Sequence, residues 1–109
     1  MTGSEFQKSA ICTVNINDPK DMLRHAVFGL TSEAGEVSGI LQKEYQGHPF
    51  DPEHMKKELG DCLWMIAEAC HALGFTMDDV MEQNIEKRRA RYPDGFSAEK
   101  SINRRAGDI

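Results

Sequence analysis

The sequence predicts an all-α fold, an antiparallel bundle of about four helices, and three observations carry that reading. Two stretches open with an Asp-Pro pair, Asp18-Pro19 and Asp51-Pro52, in which a side-chain cap precedes a proline at the first helical position. Behind each start, apolar residues recur at a helical period for several turns before a glycine-containing break. A third start follows at Thr76, with Asp78 and Asp79 in a first turn where the helix dipole favours negative charge.

Taken in order, Ser4 with Gln7 reads as a capping box, and Phe6, Ala10, Thr13 and Val14 follow at helical spacing, so a short first helix is expected. The second helix runs from Asp18-Pro19 to about Gln46 on an apolar stripe of Leu23, Ala26, Val27, Leu30, Ala34, Val37 and Leu41. Gly29, Gly35 and Gly39 lie off that stripe, each costing about 1 kcal/mol against Ala, and close approach of a backbone or ligand would justify them. Gly47, Pro49 and Pro52 break the chain, and the third helix spans Pro52 to Leu73, stopped by Gly74. Its apolar face is broad, including Leu59, Cys62, Leu63, Met65, Ile66 and Cys70. The fourth helix, capped by Thr76, ends near Arg91, with Met77, Val80, Met81 and Ile85 as its core contacts. Beyond it, Pro93, Asp94 and Gly95 signal a turn, while Tyr92, Phe96 and Ile102 predict a packed extension.

A chain of 109 residues is expected to be one domain, residues 1–109, with one core. A mean hydropathy of -0.54 makes that core modest, so burial between subunits is expected. No apolar run reaches the roughly 18 residues of a membrane span and MTGSEFQKSA lacks a signal peptide's apolar region, which predicts a cytoplasmic protein. Cys12, Cys62 and Cys70 are odd in number and form no CxxC, so they read as buried free thiols. The net charge of -5 is unevenly spread. Residues 87–105 hold seven basic and two acidic side chains, a local +5, which leaves 6 basic and 16 acidic groups, or -10, elsewhere. That pattern suits a small anion held by metal at one end and by Lys or Arg at the other, and it argues against a nucleic-acid footprint.

Four acidic residues stand out. Glu33 and Glu36 lie three apart on the second helix, and Glu58 and Asp61 three apart on the third, so each pair shares a helix face. Glu58 falls inside an apolar face, where a carboxylate is unusual. If the two helices are neighbours, four carboxylates converge, and a hard divalent cation such as Mg²⁺ or Mn²⁺ supplies the compensating charge. Glu68 and His71 form a single ExxH, whereas a di-iron bundle needs two, and His25, His48 and His54 have no ligand spacing. Asn84, Lys87 and Arg91 share a face of the fourth helix and line up an amide with two cations. Trp64, off the main stripe, suits a subunit interface or a base-stacking wall.

The stretches LTSEAGEV, KKELGDCLWMIA and NIEKRRARYPDGF, with the trailing SINR, together resemble single-domain MazG-like nucleoside triphosphate pyrophosphohydrolases of the all-α superfamily. The pattern is ExxE, then ExxD after a spacer, here 21 residues between Glu36 and Glu58, then a helix bearing Asn and Lys. Gln42 stands where many members of the family carry a second Lys before Lys43.

The resemblance implies a dimer or tetramer that uses Mg²⁺, or Mn²⁺ in its place, to split a (deoxy)nucleoside triphosphate into monophosphate and pyrophosphate. By that similarity Glu33, Glu36, Glu58 and Asp61 are the metal ligands, Glu36 and Glu58 the catalytic carboxylates, and Asn84, Lys87 and Arg91 the substrate contacts. A sister activity on dUTP or phosphoribosyl-ATP would use the same carboxylates. A catalytically silent helical oligomer that binds a nucleotide or partner would keep the metal site without turnover. Neither a nucleic acid nor a membrane is expected as partner.

Overall fold

The computed structural model describes residues 1–109 and is all-helical. Its elements are α1 (Gly3–Ala10), a 3₁₀ turn (Ile11–Thr13), α2 (Pro19–Tyr45), α3 (Pro52–Leu73), α4 (Met77–Arg91) and α5 (Ala98–Ile102). The chain forms two compact units, Met1–Met77 and Asp78–Ile109.

In the first unit the helix ends are set by local chemistry. Asp18 accepts the Lys20 N–H at 2.9 Å, and one oxygen of Asp51 accepts the N–H groups of Glu53 and His54 at 3.1 and 3.2 Å, so both Asp-Pro starts cap as expected. Both stops are Schellman motifs. Gly47 (φ 103°) and Gly74 (φ 75°) take the left-handed conformation, and the next residue's N–H reaches back to Lys43 O at 3.0 Å and Cys70 O at 2.9 Å. The first helix is capped two residues earlier than Ser4. Thr2 accepts the Glu5 N–H at 3.0 Å and Glu5 accepts the Thr2 N–H at 3.2 Å. Thr2-x-x-Glu5 has the stronger partner, because a carboxylate at the third helical position also meets the dipole. Gln7, freed from capping, is buried and ties α1 to the turn after α3: its amide donates to Phe75 O at 2.9 Å and accepts the Met77 N–H at 2.8 Å.

The core of this unit packs Phe6 and Ala10 of α1 against Ile66, Ala67 and Cys70 of α3 and against Met77. The Trp64 indole N–H donates to Ala10 O at 3.2 Å, so Trp64 fastens α3 to the end of α1. Of the three thiols, Cys70 is buried, Cys62 half-buried and Cys12 exposed, which corrects the expectation that all three are interior.

Helices α2 and α3 run antiparallel, as their pairings show. His25 meets Glu68, Gly29 meets Met65, and Glu33 meets Glu58 and Asp61. The seam on α2 therefore runs through Met22, Ala26, Gly29, Glu33 and Ile40, rotated from the apolar stripe read in the sequence. Val27, Phe28 and Leu41 are left exposed, as are Leu59 and Leu63 on α3. Gly29 permits the close approach at this seam. A Cβ on Gly29 would run into the Met65 sulfur, so the buried Met65 side chain fills the notch that this glycine leaves. Nothing lies within 4 Å of a Cβ built on Gly35 or Gly39, so close packing explains only the first of the three glycines.

In the second unit, α4 leaves Val80, Met81 and Ile85 exposed, so these are not the core contacts expected of them. Its order comes from other sources. Gly95 (φ 95°) closes the turn with its N–H on Tyr92 O at 3.2 Å, and the Tyr92 and Phe96 rings meet in a tilted pair, centroids 5.3 Å apart and planes at 47°. Ser97 caps α5 on the Lys100 N–H. The Arg91 guanidinium grips the Asp108 carboxylate through two bonds, 2.7 and 2.6 Å. The extension is ordered by these polar ties, but it is not packed as the sequence predicts, because Phe96 and Ile102 are 78% and 79% exposed.

Candidate metal centre and its surroundings

The seam brings three carboxylates together beginning about one turn beyond the point where Met65 packs on Gly29. One oxygen each of Glu33, Glu58 and Asp61 lies within 4.8 Å of the others, and all three residues are half-buried. Their placement follows from helix geometry: a residue four past Gly29 on α2 faces residues four and seven before Met65 on α3. The positions that would carry apolar knobs in an ordinary seam carry acids.

No Lys or Arg forms an ion pair with any of the three. Glu58, with only 16% of its side chain exposed, has one hydrogen-bond partner besides the acids, His54 Nε2 at 3.2 Å. The cost appears at Glu33, whose carboxyl is raised above its ordinary value. Loss of solvation is the largest cause, followed by the charge of Asp61, then by the hydrogen bond and charge of Glu58 and the charge of Glu36. The donor set fits a hard divalent ion: all oxygen, anionic, and spaced so that a small side-chain closure gives the ~3–4 Å oxygen separations of a six-coordinate Mg²⁺ or Mn²⁺ shell.

Glu36 stands apart from the group of three. It is exposed and lines a recess of about 350 Å³ with Gly39, Lys43, His48, Asp51 and His54. His54 thus borders this recess while bonding Glu58 at 3.2 Å, a role the sequence reading missed although its i,i+4 spacing from Glu58 was visible. His25 was missed as well. Its Nδ1 sits 2.8 and 3.0 Å from the two oxygens of Glu68, a fully buried carboxylate, and no spacing rule relates residues 43 apart.

The cationic face of α4 belongs to the second unit. Asn84 accepts from Arg88 Nε at 2.9 Å, Asn84 and Lys87 line a cavity of about 630 Å³, and Arg91 is engaged by Asp108. Of the three expected substrate contacts, Arg91 is therefore already paired within the chain.

A family model for the MazG nucleotide pyrophosphohydrolase domain matches residues 23–96, which include all four acids and the α4 cations. The chain belongs to this family. This MazG chain is similar to the Gene 37 protein of Mycobacterium phage L5, at 25% identity over 92 residues, covering 80% of this chain and 81% of that protein. No solved structure matches it. No helix in this MazG chain is long and apolar enough to cross a membrane.

Proposed function

We propose that residues 1–109 act as one MazG-like catalytic domain that hydrolyses (deoxy)nucleoside triphosphates to the monophosphate and pyrophosphate. The observation that carries this reading is the uncompensated trio Glu33, Glu58 and Asp61 in a chain of this family. With Glu36, these residues would hold Mg²⁺, or Mn²⁺ in its place, which when bound supplies neutralising charge at the phosphate oxygens and lowers the pKa of water. Glu36, exposed and one turn along α2 from Glu33, takes the proton of the attacking water. The water oxygen forms a bond to the α-phosphorus, the bond from that phosphorus to the bridging oxygen breaks, and pyrophosphate leaves with the electron pair. Asn84, Lys87 and Arg91 contact sugar and phosphates, their cations stabilising the departing pyrophosphate.

Self-association belongs to the same proposal. Val27, Phe28 and Leu41 on α2 and Leu59 and Leu63 on α3 are each exposed by 47% or more, an apolar surface suited to a second copy of the chain. Light scattering would report a dimer or tetramer. A dUTP or phosphoribosyl-ATP pyrophosphohydrolase uses the same carboxylates with a different base pocket.

The test is pyrophosphate release from a panel of ribo- and deoxyribonucleoside triphosphates with Mg²⁺, Mn²⁺ or EDTA, for wild type and Glu58→Gln. Metal-dependent release lost in the variant supports the reaction and the site together. Ion binding by a folded wild type with no release from any nucleotide would replace the enzyme with a silent binding module.

A further inference from the structure

Arg91 and Asp108 form the most buried ion pair of the second unit, with 12% and 8% of their side chains exposed. Guanidinium Nε and Nη2 each donate to a separate carboxylate oxygen, at 2.7 and 2.6 Å. That two-pronged geometry is the one a guanidinium offers to a phosphate. Asp108 is held below the usual carboxylate range, first by the Arg91 hydrogen bonds, against partial burial, and further by the charges of Arg91, Arg104 and Lys87.

The surroundings carry more positive charge than one carboxylate answers. Lys87, Arg105 and Asp108 are the charged side chains of the 630 Å³ cavity, which Asn84 and Gln83 complete with amides. A smaller adjoining cavity of about 260 Å³ is lined by Arg91, Lys100, Arg105 and Asp108. Four cations therefore surround a single acid. Residues 105–109 form one wall of the larger cavity, yet apolar burial does not fasten them: Ile109, their one large apolar side chain, is 87% exposed. Gly107 (φ 83°) turns the segment back, and the ion pair is its principal side-chain tie to α4.

We propose that residues 105–109 form a displaceable anion latch over α4, in which the Asp108 carboxylate occupies Arg91 in the place of a phosphate group. A phosphate chain binding among Lys87, Arg91 and Arg105 expels it. The choice of a phosphorylated ligand rests on the function proposed above; the latch itself rests on the ion pair and its excess of cations. A phosphate chain outcompetes Asp108 because it brings several charges to a site where one carboxylate leaves three cations unanswered. Arg105 becomes a phosphate contact on opening, and Asp108 sets the affinity as an internal competitor.

The test is calorimetric titration of inorganic pyrophosphate, without divalent metal, into the full chain. Asp108→Asn is expected to bind pyrophosphate ~10-fold more tightly than wild type, and Arg91→Gln placed on top of it to lose that gain. Unchanged or weaker binding by a folded Asp108→Asn would reduce the pair to a structural tie and overturn the latch. A second readout needs no variant: pyrophosphate added to wild type should speed amide exchange at residues 105–109, and exchange that is unchanged or slowed at saturation overturns the proposal. Metal-free binding does not depend on the carboxylate trio. A chain that shows the gain but never turns over a nucleotide keeps the latch and loses the hydrolase, while turnover without the gain does the reverse.

Discussion

The α2–α3 seam and the α4 face treat charge in opposite ways. At the seam, Glu33, Glu58 and Asp61 crowd together with no Lys or Arg among them and only His54 bonded to Glu58, and Glu33 rises in pKa, first through lost solvation and then through its acidic neighbours. On α4, the Arg91 charge is met at two points by Asp108, whose carboxyl falls. Helix packing supplies the first arrangement and a folded-back segment the second. An unanswered cluster costs folding free energy that a bound ion can return, so it points to a ligand from outside. An answered charge either anchors structure or waits for a competitor, and only an exchange experiment separates these.

The largest effect that would break the comparison is on turnover. Glu58→Gln should lower pyrophosphate release at least ~100-fold while circular dichroism remains helical, since it removes a central charge of the trio and keeps its shape. Retained activity would move the chemistry elsewhere. Next comes metal-linked stability. Mg²⁺ or Mn²⁺ at about 100 times its Kd should raise the melting temperature by roughly 10 °C, and Asp61→Asn should remove most of that rise.

A pH series sharpens the same point. The carboxyl of Glu33 is raised in the folded chain, so without metal its contribution is present at low pH and is lost as pH rises through the raised value. The increment from added metal should grow over that same window, because ligation needs the deprotonated form. Asp108 has the opposite sign. Its lowered carboxyl contributes above the ordinary Asp range and the contribution disappears as pH falls through the lowered value, so acid should loosen residues 105–109, which exchange at those amides would report.

The Glu68–His25 pair offers an intermediate case, one buried acid answered by one half-exposed histidine. His25→Ala should cost about 1–3 kcal/mol in urea unfolding by leaving the Glu68 oxygens unpartnered. The smallest expected effect is on Gly35, where a methyl meets nothing within 4 Å. Gly35→Ala should stabilise the chain by about 0.5–1 kcal/mol, whereas Gly29→Ala should not, because Met65 must move.

Much of this molecule was legible in its residues, and the legible parts share a cause. The bounds of α2 and α3 are written in Asp18-Pro19, Asp51-Pro52, Gly47 and Gly74, because caps and left-handed stops are decided within a few residues of chain. The acid pairs were visible because three-residue spacing puts side chains on one face whatever that face meets. The family followed from those motifs together, and the match over residues 23–96 upholds it. Tertiary structure decided what each face meets. The faces of α2 and α3 that meet carry Met65 in the notch at Gly29, leave Val27 and Leu41 outside and group three of the four acids without Glu36, and none of this is set by spacing along either helix alone. The partners of Glu68 and Arg91 lie 43 and 17 residues away, beyond any helical spacing, so only the folded chain could bring His25 and Asp108 to them.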